Sequence, residues 1–288
     1  MYGYPHRKTL APRIVWWFSR CESCHMSFDR IRRLAGRPHP GRIELLALAV
    51  LYGAYELVRG FGGEDWAAAR AHTADIVALE RRLHVFVERD VQDLAGSIAA
   101  VPALLGLLYV LLHFAGTAGA LVWVHKRRPH AFPFVRSTLI VSTALALVGY
   151  VFYPAAPPRL ANMGFADTVT THTGLDLSSD LLGSFYNPIA AVPSLHFGYA
   201  LIVGVAVAQL ASQRWLRRLG AAYPALMLLI IVGTGNHFLF DAAMGGLVVS
   251  AGWLVASRLQ APAVQPVRLP APANTWTPHS APAHAKAA

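Results

Sequence analysis

AAVPALLGLLYVLLHFAGTAGALVWVHKRRPHAFPFVR, residues 99–136, carries two signals that govern how the rest of the chain reads. From 99 to 124 no Asp, Glu, Lys or Arg interrupts the run. A helix of about 20 such residues crosses a hydrocarbon core, so the run predicts a membrane span. The cluster His125-Lys126-Arg127-Arg128 follows at once and marks its far end as a cytoplasmic loop.

Working outward, the same pattern recurs. Apolar segments at 43–59, 137–153, 193–211, 219–236 and 239–257 bring the expected number of spans to six. Arg214, Arg217 and Arg218 form a second basic loop, and the 1–42 arm carries a row of arginines from Arg7 to Arg42. Placing these three basic segments on one side puts both termini in the cytoplasm. The 60–98 segment, with four arginines and seven acids, then falls outside. Within it Ile76, Leu79, Leu83, Phe86 and Val87 recur at helical spacing, which predicts an amphipathic helix lying on the membrane surface. Residues 154–192 are a Pro/Gly-rich connection, and the Ala/Pro-rich stretch 259–288 is predicted to be a disordered tail. The expected fold is all-α and integral to the membrane: a six-helix transmembrane bundle with an interfacial helix, spanning 43–258. The expected setting is the plasma (inner) membrane.

Composition narrows the function classes. The 288 residues are 55% hydrophobic and 14% charged, which excludes a soluble globular domain. The net charge of +10 invites a nucleic-acid reading, but the arginines sit between apolar segments and no aromatic-basic module accompanies them. The first 42 residues lack a continuous apolar core, so no cleavable signal peptide is expected. Cys21-Glu-Ser-Cys24-His25 matches the c-type haem attachment pattern. Haem attachment needs the extracytoplasmic side, whereas the arginines place this segment inside. It is read as chance, and neither a cofactor nor a metal is expected. Met26 follows directly and could serve as an alternative start.

Three motifs converge on the outer side of this topology. Pro157-Pro158-Arg159 follows the third span, Pro193-Ser194-Leu195-His196 opens the fourth, and His237-Phe-Leu-Phe-Asp241 joins the fifth and sixth. On a helix His237 and Asp241 would share a face. A carboxylate on Nδ1 would fix the tautomer, leave Nε2 free as a nucleophile and stabilise the imidazolium formed on attack. With Pro193 at the first helical position, His196 would lie where free N–H groups and the helix dipole favour an anion, and could protonate a leaving oxygen. Ser194 offers a hydroxyl, and Arg159 a planar fork for phosphate oxygens. The bland readings are a polar pair closing a helix end, an interfacial histidine and a snorkelling arginine.

At these residues the sequence resembles the type 2 phosphatidic acid phosphatase (PAP2) superfamily, in its inositol phosphorylceramide synthase branch. Tyr153-PAAPPRL, Asn187-PIAAVPSLHFG and His237-FLFDAAMGG carry the resemblance, with LERRLHVFVE at 79–88 beside them. The resemblance implies His237 as covalent nucleophile, Asp241 as its support and His196 as general acid, acting on a lipid phosphate or lipid-linked phosphodiester, with an alcohol of the inositol type as a candidate acceptor. Family phosphatases carry a Ser-Arg pair where Ile230 and Ile231 stand here, and Lys126-Arg127-Arg128-Pro129 lies on the opposite membrane face. These departures favour a transferase-like activity over phosphomonoester hydrolysis and leave Arg159 as the expected clamp. The alternative from another class is a non-catalytic lipid-binding or transport protein on the same scaffold.

Overall fold

The computed structural model describes residues 49–50, 53–54, 56–57, 65–174 and 187–260. The basic arm with Cys21 and Cys24, most of the expected first span at 43–59, and the tail lie outside the described residues.

Among the described residues the chain is helix and connection, with no strand. We number the helices α1 (Trp66–Arg82), α2 (Glu88–Gly96), α3 (Val101–Leu111), α4 (Thr117–Arg127), α5 (Phe132–Phe152), α6 (Thr168–Thr173), α7 (Leu195–Leu210), α8 (Arg214–Gly233) and α9 (Leu239–Leu259). A π turn, Leu112–Gly116, joins α3 to α4, so Val101–Arg127 forms one continuous 27-residue helix. This helix, α5, α8 and α9 are each long and apolar enough to cross a membrane, and the chain is a multi-pass membrane protein. Leu104, Leu107, Leu229, Leu247 and Leu254 are exposed on these helices, where lipid is the natural neighbour.

The described residues bear on two expectations. The span expected at 193–211 is α7, only 16 residues long. At 1.5 Å per residue it reaches roughly 24 Å, short of a full crossing. Its neighbours explain the shortness. Arg128 Nε, just past α4, donates to Leu210 O at 2.9 Å, so the far ends of α4 and α7 are level. At its near end His196 stacks on His113, near the middle of the 27-residue helix. α7 therefore begins part-way down the bundle, and the 154–174 connection fills the space above it.

The expected interfacial helix is instead two helices. α1 ends at Arg82, and His84 takes a left-handed φ of 57°. Val85 N–H donates to Glu80 O at 2.9 Å and His84 N–H to Arg81 O at 3.1 Å, the paired bonds of a Schellman cap. The turn breaks the expected stripe. Ile76 is buried, while Leu79, Leu83 and Val87 are exposed. The inward face of α1 is Ala69, Thr73, Ile76, Val77 and Glu80.

α1 and α2 cover one end of the bundle. Thr73 Oγ1 donates to Ala156 O at 2.9 Å. Gln92 brackets Ala166, donating to its carbonyl at 3.0 Å and accepting from its N–H at 2.9 Å. Ile76, Val77, Phe165, Val192 and Phe238 make the apolar seam beneath. The arginine turns lie at the other end, where Arg217 Nε donates to Ala208 O at 3.1 Å and Arg128 donates to Ser212 Oγ at 2.8 Å.

Candidate functional site

α8 ends at Gly233 with another Schellman cap. Gly235 N–H donates to Val232 O at 2.9 Å and Asn236 N–H to Ile231 O at 3.0 Å. Gly235 has φ +67°, a left-handed conformation that a glycine adopts without a Cβ clash. The chain then turns directly into α9, with Phe238 at the N-cap and Asp241 in the first turn.

His237 therefore precedes the helix rather than sitting on it. The expected pairing with Asp241 arises from capping geometry. Asp241 Oδ2 reaches back to accept from Phe238 N–H at 2.9 Å and lies 3.1 Å from His237 Nδ1. Asp241 is fully buried and His237 nearly so. A carboxylate at Nδ1 holds that nitrogen's proton and directs Nε2 away from the helix.

α7 brings the second histidine. Ser194 is the N-cap, and its Oγ accepts from Phe197 N–H at 3.3 Å. Pro193 thus stands one residue before the cap, not at the first helical position. Ser194 N–H donates to Asp241 O at 3.0 Å, which ties the two motifs together through backbone. Gly245 permits this approach, because a Cβ there would lie 2.4 Å from Ser194 O. The His196 and His237 rings stand 5.6 Å apart between centroids.

Arg159 approaches from the connection. Its N–H donates to Gly235 O at 2.9 Å, its Nε to Asn236 Oδ1 at 2.9 Å, and its Nη1 to Asp167 Oδ2 at 2.7 Å. The guanidinium is buried and held against the loop that carries His237. Ile230 and Ile231, where the resemblance led us to expect a Ser-Arg pair, are fully buried in apolar core. Lys126-Arg127-Arg128-Pro129 lies at the opposite end of the bundle.

Sequence reasoning missed three titratable residues that the fold brings here. His113, in the π turn, stacks on His196 at 3.9 Å between centroids, and Tyr109 stacks on His196 at 4.2 Å. π turns recur at functional positions, and a histidine amid an apolar span was the signal available. The other two are Glu80 and Glu88. Glu88 Oε1 accepts from Leu239 N–H at 2.8 Å and Glu80 Oε1 from Phe240 N–H at 2.7 Å. Glu80 occupies the inward stripe of α1, three residues past Val77, and that placement was visible in the spacing. Among the described residues no three of His, Cys, Asp and Glu converge in a metal-holding geometry.

A phosphoinositol dihydroceramide synthase from Bacteroides thetaiotaomicron is similar to this chain, 28% identical over 153 residues. The match covers 47% of the chain and 48% of that protein, so the chain spans about half the length of the curated relative it matches. No solved structure matches. The PAP2 superfamily model matches residues 74–255, which hold every site residue described above, and the chain belongs to the PAP2 superfamily.

Proposed function

We propose that this protein moves a phosphoryl or phospho-alcohol group to or from a lipid through a phosphohistidine on His237. The observation that carries the reading is the pairing of His237 Nδ1 with buried Asp241 while the His196 ring stands 5.6 Å away between centroids. Nε2 of His237 attacks phosphorus, and the bond from phosphorus to the lipid oxygen breaks. His196 gives its proton to that departing oxygen. In the second half, His196 takes the proton of an incoming hydroxyl, whose oxygen displaces His237 from phosphorus. Water as the incoming group gives hydrolysis, and an alcohol gives transfer.

Arg159 is proposed as the positive charge that steadies the phosphate, and the first N–H groups of α7, capped by Ser194, as its second anchor. The Asn236 and Asp167 bonds hold the guanidinium at the loop that carries His237. The similarity to a phosphoinositol dihydroceramide synthase supports transfer to or from an inositol-bearing lipid as the first activity to assay. We place the site on the extracytoplasmic side, because the arginine turns occupy the other end of the bundle.

The test is a panel of phospholipids and lipid phosphates, with and without acceptor alcohols, in the presence of vanadate. Vanadate imitates five-coordinate phosphorus, so turnover that vanadate suppresses is expected. Headgroup binding with neither phosphate release nor exchange would instead indicate a non-catalytic lipid-binding protein.

A further inference from the structure

We propose that Glu80 and Glu88 are positioning residues for the His237–Asp241 pair, capping the first turn of α9 while one proton is held between their carboxyls. The proposal rests on the phosphohistidine reading and adds to it a device that sets His237 in place.

The geometry is a row of three. The N–H groups of Phe238, Leu239 and Phe240 open α9, and each meets a different carboxyl: Asp241, Glu88 and Glu80 in turn. A helix start is ordinarily satisfied by one side chain and by water. Here α1 and α2 each send a buried acid some 150 residues along the chain to do it. The Schellman turn at His84 makes this possible, because it folds α2 back so that Glu80 and Glu88 reach neighbouring N–H groups.

Each of the three acids uses one oxygen on the helix. The second oxygens, Glu80 Oε2, Glu88 Oε2 and Asp241 Oδ1, are buried without a donor among the described residues. Three adjacent carboxylates cannot all stay ionised in a buried place. The hydrogen bond from His237 Nδ1 steadies the Asp241 carboxylate. A proton between Glu80 and Glu88 offsets one of the other two charges and gives their second oxygens a hydrogen bond. Glu80 is accordingly pushed up to about 8, first by burial, and further by the neighbouring charges of Glu88 and Asp241 and the hydrogen bond to Glu88, against the opposing pull of the Phe240 N–H. The titratable groups around it are Glu88 from α2 and Asp241 from α9 with His237 paired to it. The protein's own acids thus fill the anion site at the start of α9, and substrate phosphate is directed to α7 and Arg159.

Protonation sets the sign of the pH effect. A carboxyl with a folded pKa above its ordinary value stabilises fully below that ordinary value, and the contribution is lost as pH rises through the folded one. The window runs from about 4.5 to about 8. Above it two adjacent carboxylates repel beneath α9 and loosen the turn that holds His237.

The experiment compares wild type, Glu80→Gln, Glu88→Gln, Glu80→Leu and His237→Ala in pH profiles of kcat and KM and in melting temperature. Gln keeps an acceptor for the helix N–H and replaces the shared proton with an amide hydrogen. Either Gln variant is expected to stay within about threefold of wild-type kcat at pH 7, and to lose the decline in kcat and melting temperature that wild type shows near pH 8. Glu80→Leu is expected to lower kcat tenfold or more with KM little changed. An alkaline decline identical in wild type and both Gln variants overturns the proposal. So does wild-type kcat in Glu80→Leu. If either Gln variant fails to fold, the other decides. His237→Ala separates the two ideas, because turnover in that variant would remove the phosphohistidine itself, whereas its loss alongside unchanged Gln profiles removes only the positioning role.

Discussion

Asp241 Oδ2 serves both His237 Nδ1, at 3.1 Å, and the Phe238 N–H, at 2.9 Å. The same atom therefore shapes the helix start and aims the imidazole. Asp241→Asn keeps an oxygen for the N–H but not the negative charge that steadies an imidazolium. We expect kcat to fall roughly 10²- to 10⁴-fold with KM changed only a few-fold, and steady-state kinetics on the purified variant check this. At this scale the sequence was informative about the pair and less so about its geometry. His237 and Asp241 were legible from their spacing, but they meet across a helix cap rather than along a helix face. Glu80 and Glu88 were not legible as a pair. Their meeting depends on a left-handed His84, and neither glycine nor asparagine marks that turn.

Among the helices, the contact that matters most is between the start of α7 and the first turns of α9. Gly245 lets the Ser194 backbone lie against α9, and the bond from Ser194 N–H to Asp241 O sets the separation of the two histidines. In Gly245→Ala the added carbon would lie 2.4 Å from Ser194 O and must push the helices apart. Overpacking of this kind costs about 1–3 kcal/mol. A lowered melting temperature in detergent is expected, together with a drop in kcat that exceeds any change in lipid binding. The short α7 also shows why a hydropathy reading overextends. The sequence at 193–211 is mostly apolar and carries no Asp, Glu, Lys or Arg, so composition alone cannot reveal that the element starts part-way down a neighbouring helix. That register is set by tertiary contacts, His113 on His196 at one end and Arg128 on Leu210 at the other.

Across the whole molecule, the bundle is polarised. The arginine turns gather at one end and the site lies toward the other, beneath α1, α2 and the 154–174 connection. The basic loops alone suggested this separation, because each lies one span away from a motif. The layer of α1 and α2 was legible only as a polar, helical segment, and its sharp turn and inward acids emerge from packing. The orientation of the bundle is open to a direct check in a background with Cys21→Ser and Cys24→Ser. A membrane-impermeant maleimide applied to intact cells should label Ala166→Cys and spare His130→Cys until the cells are permeabilised. The reverse pattern would turn the molecule over and place the site in the cytoplasm.

The central claim is that phosphorus passes through Nε2 of His237. Turnover of an active lipid substrate can be stopped in base, where a phosphorus–histidine bond survives, and the chain then mapped by mass spectrometry. The account predicts a phosphorus-bearing adduct on His237 that forms and decays at the rate of turnover, accumulates in His196→Ala under slow turnover, and is absent from His237→Ala. Turnover without an adduct, or an adduct on another residue in the wild-type chain, would contradict it.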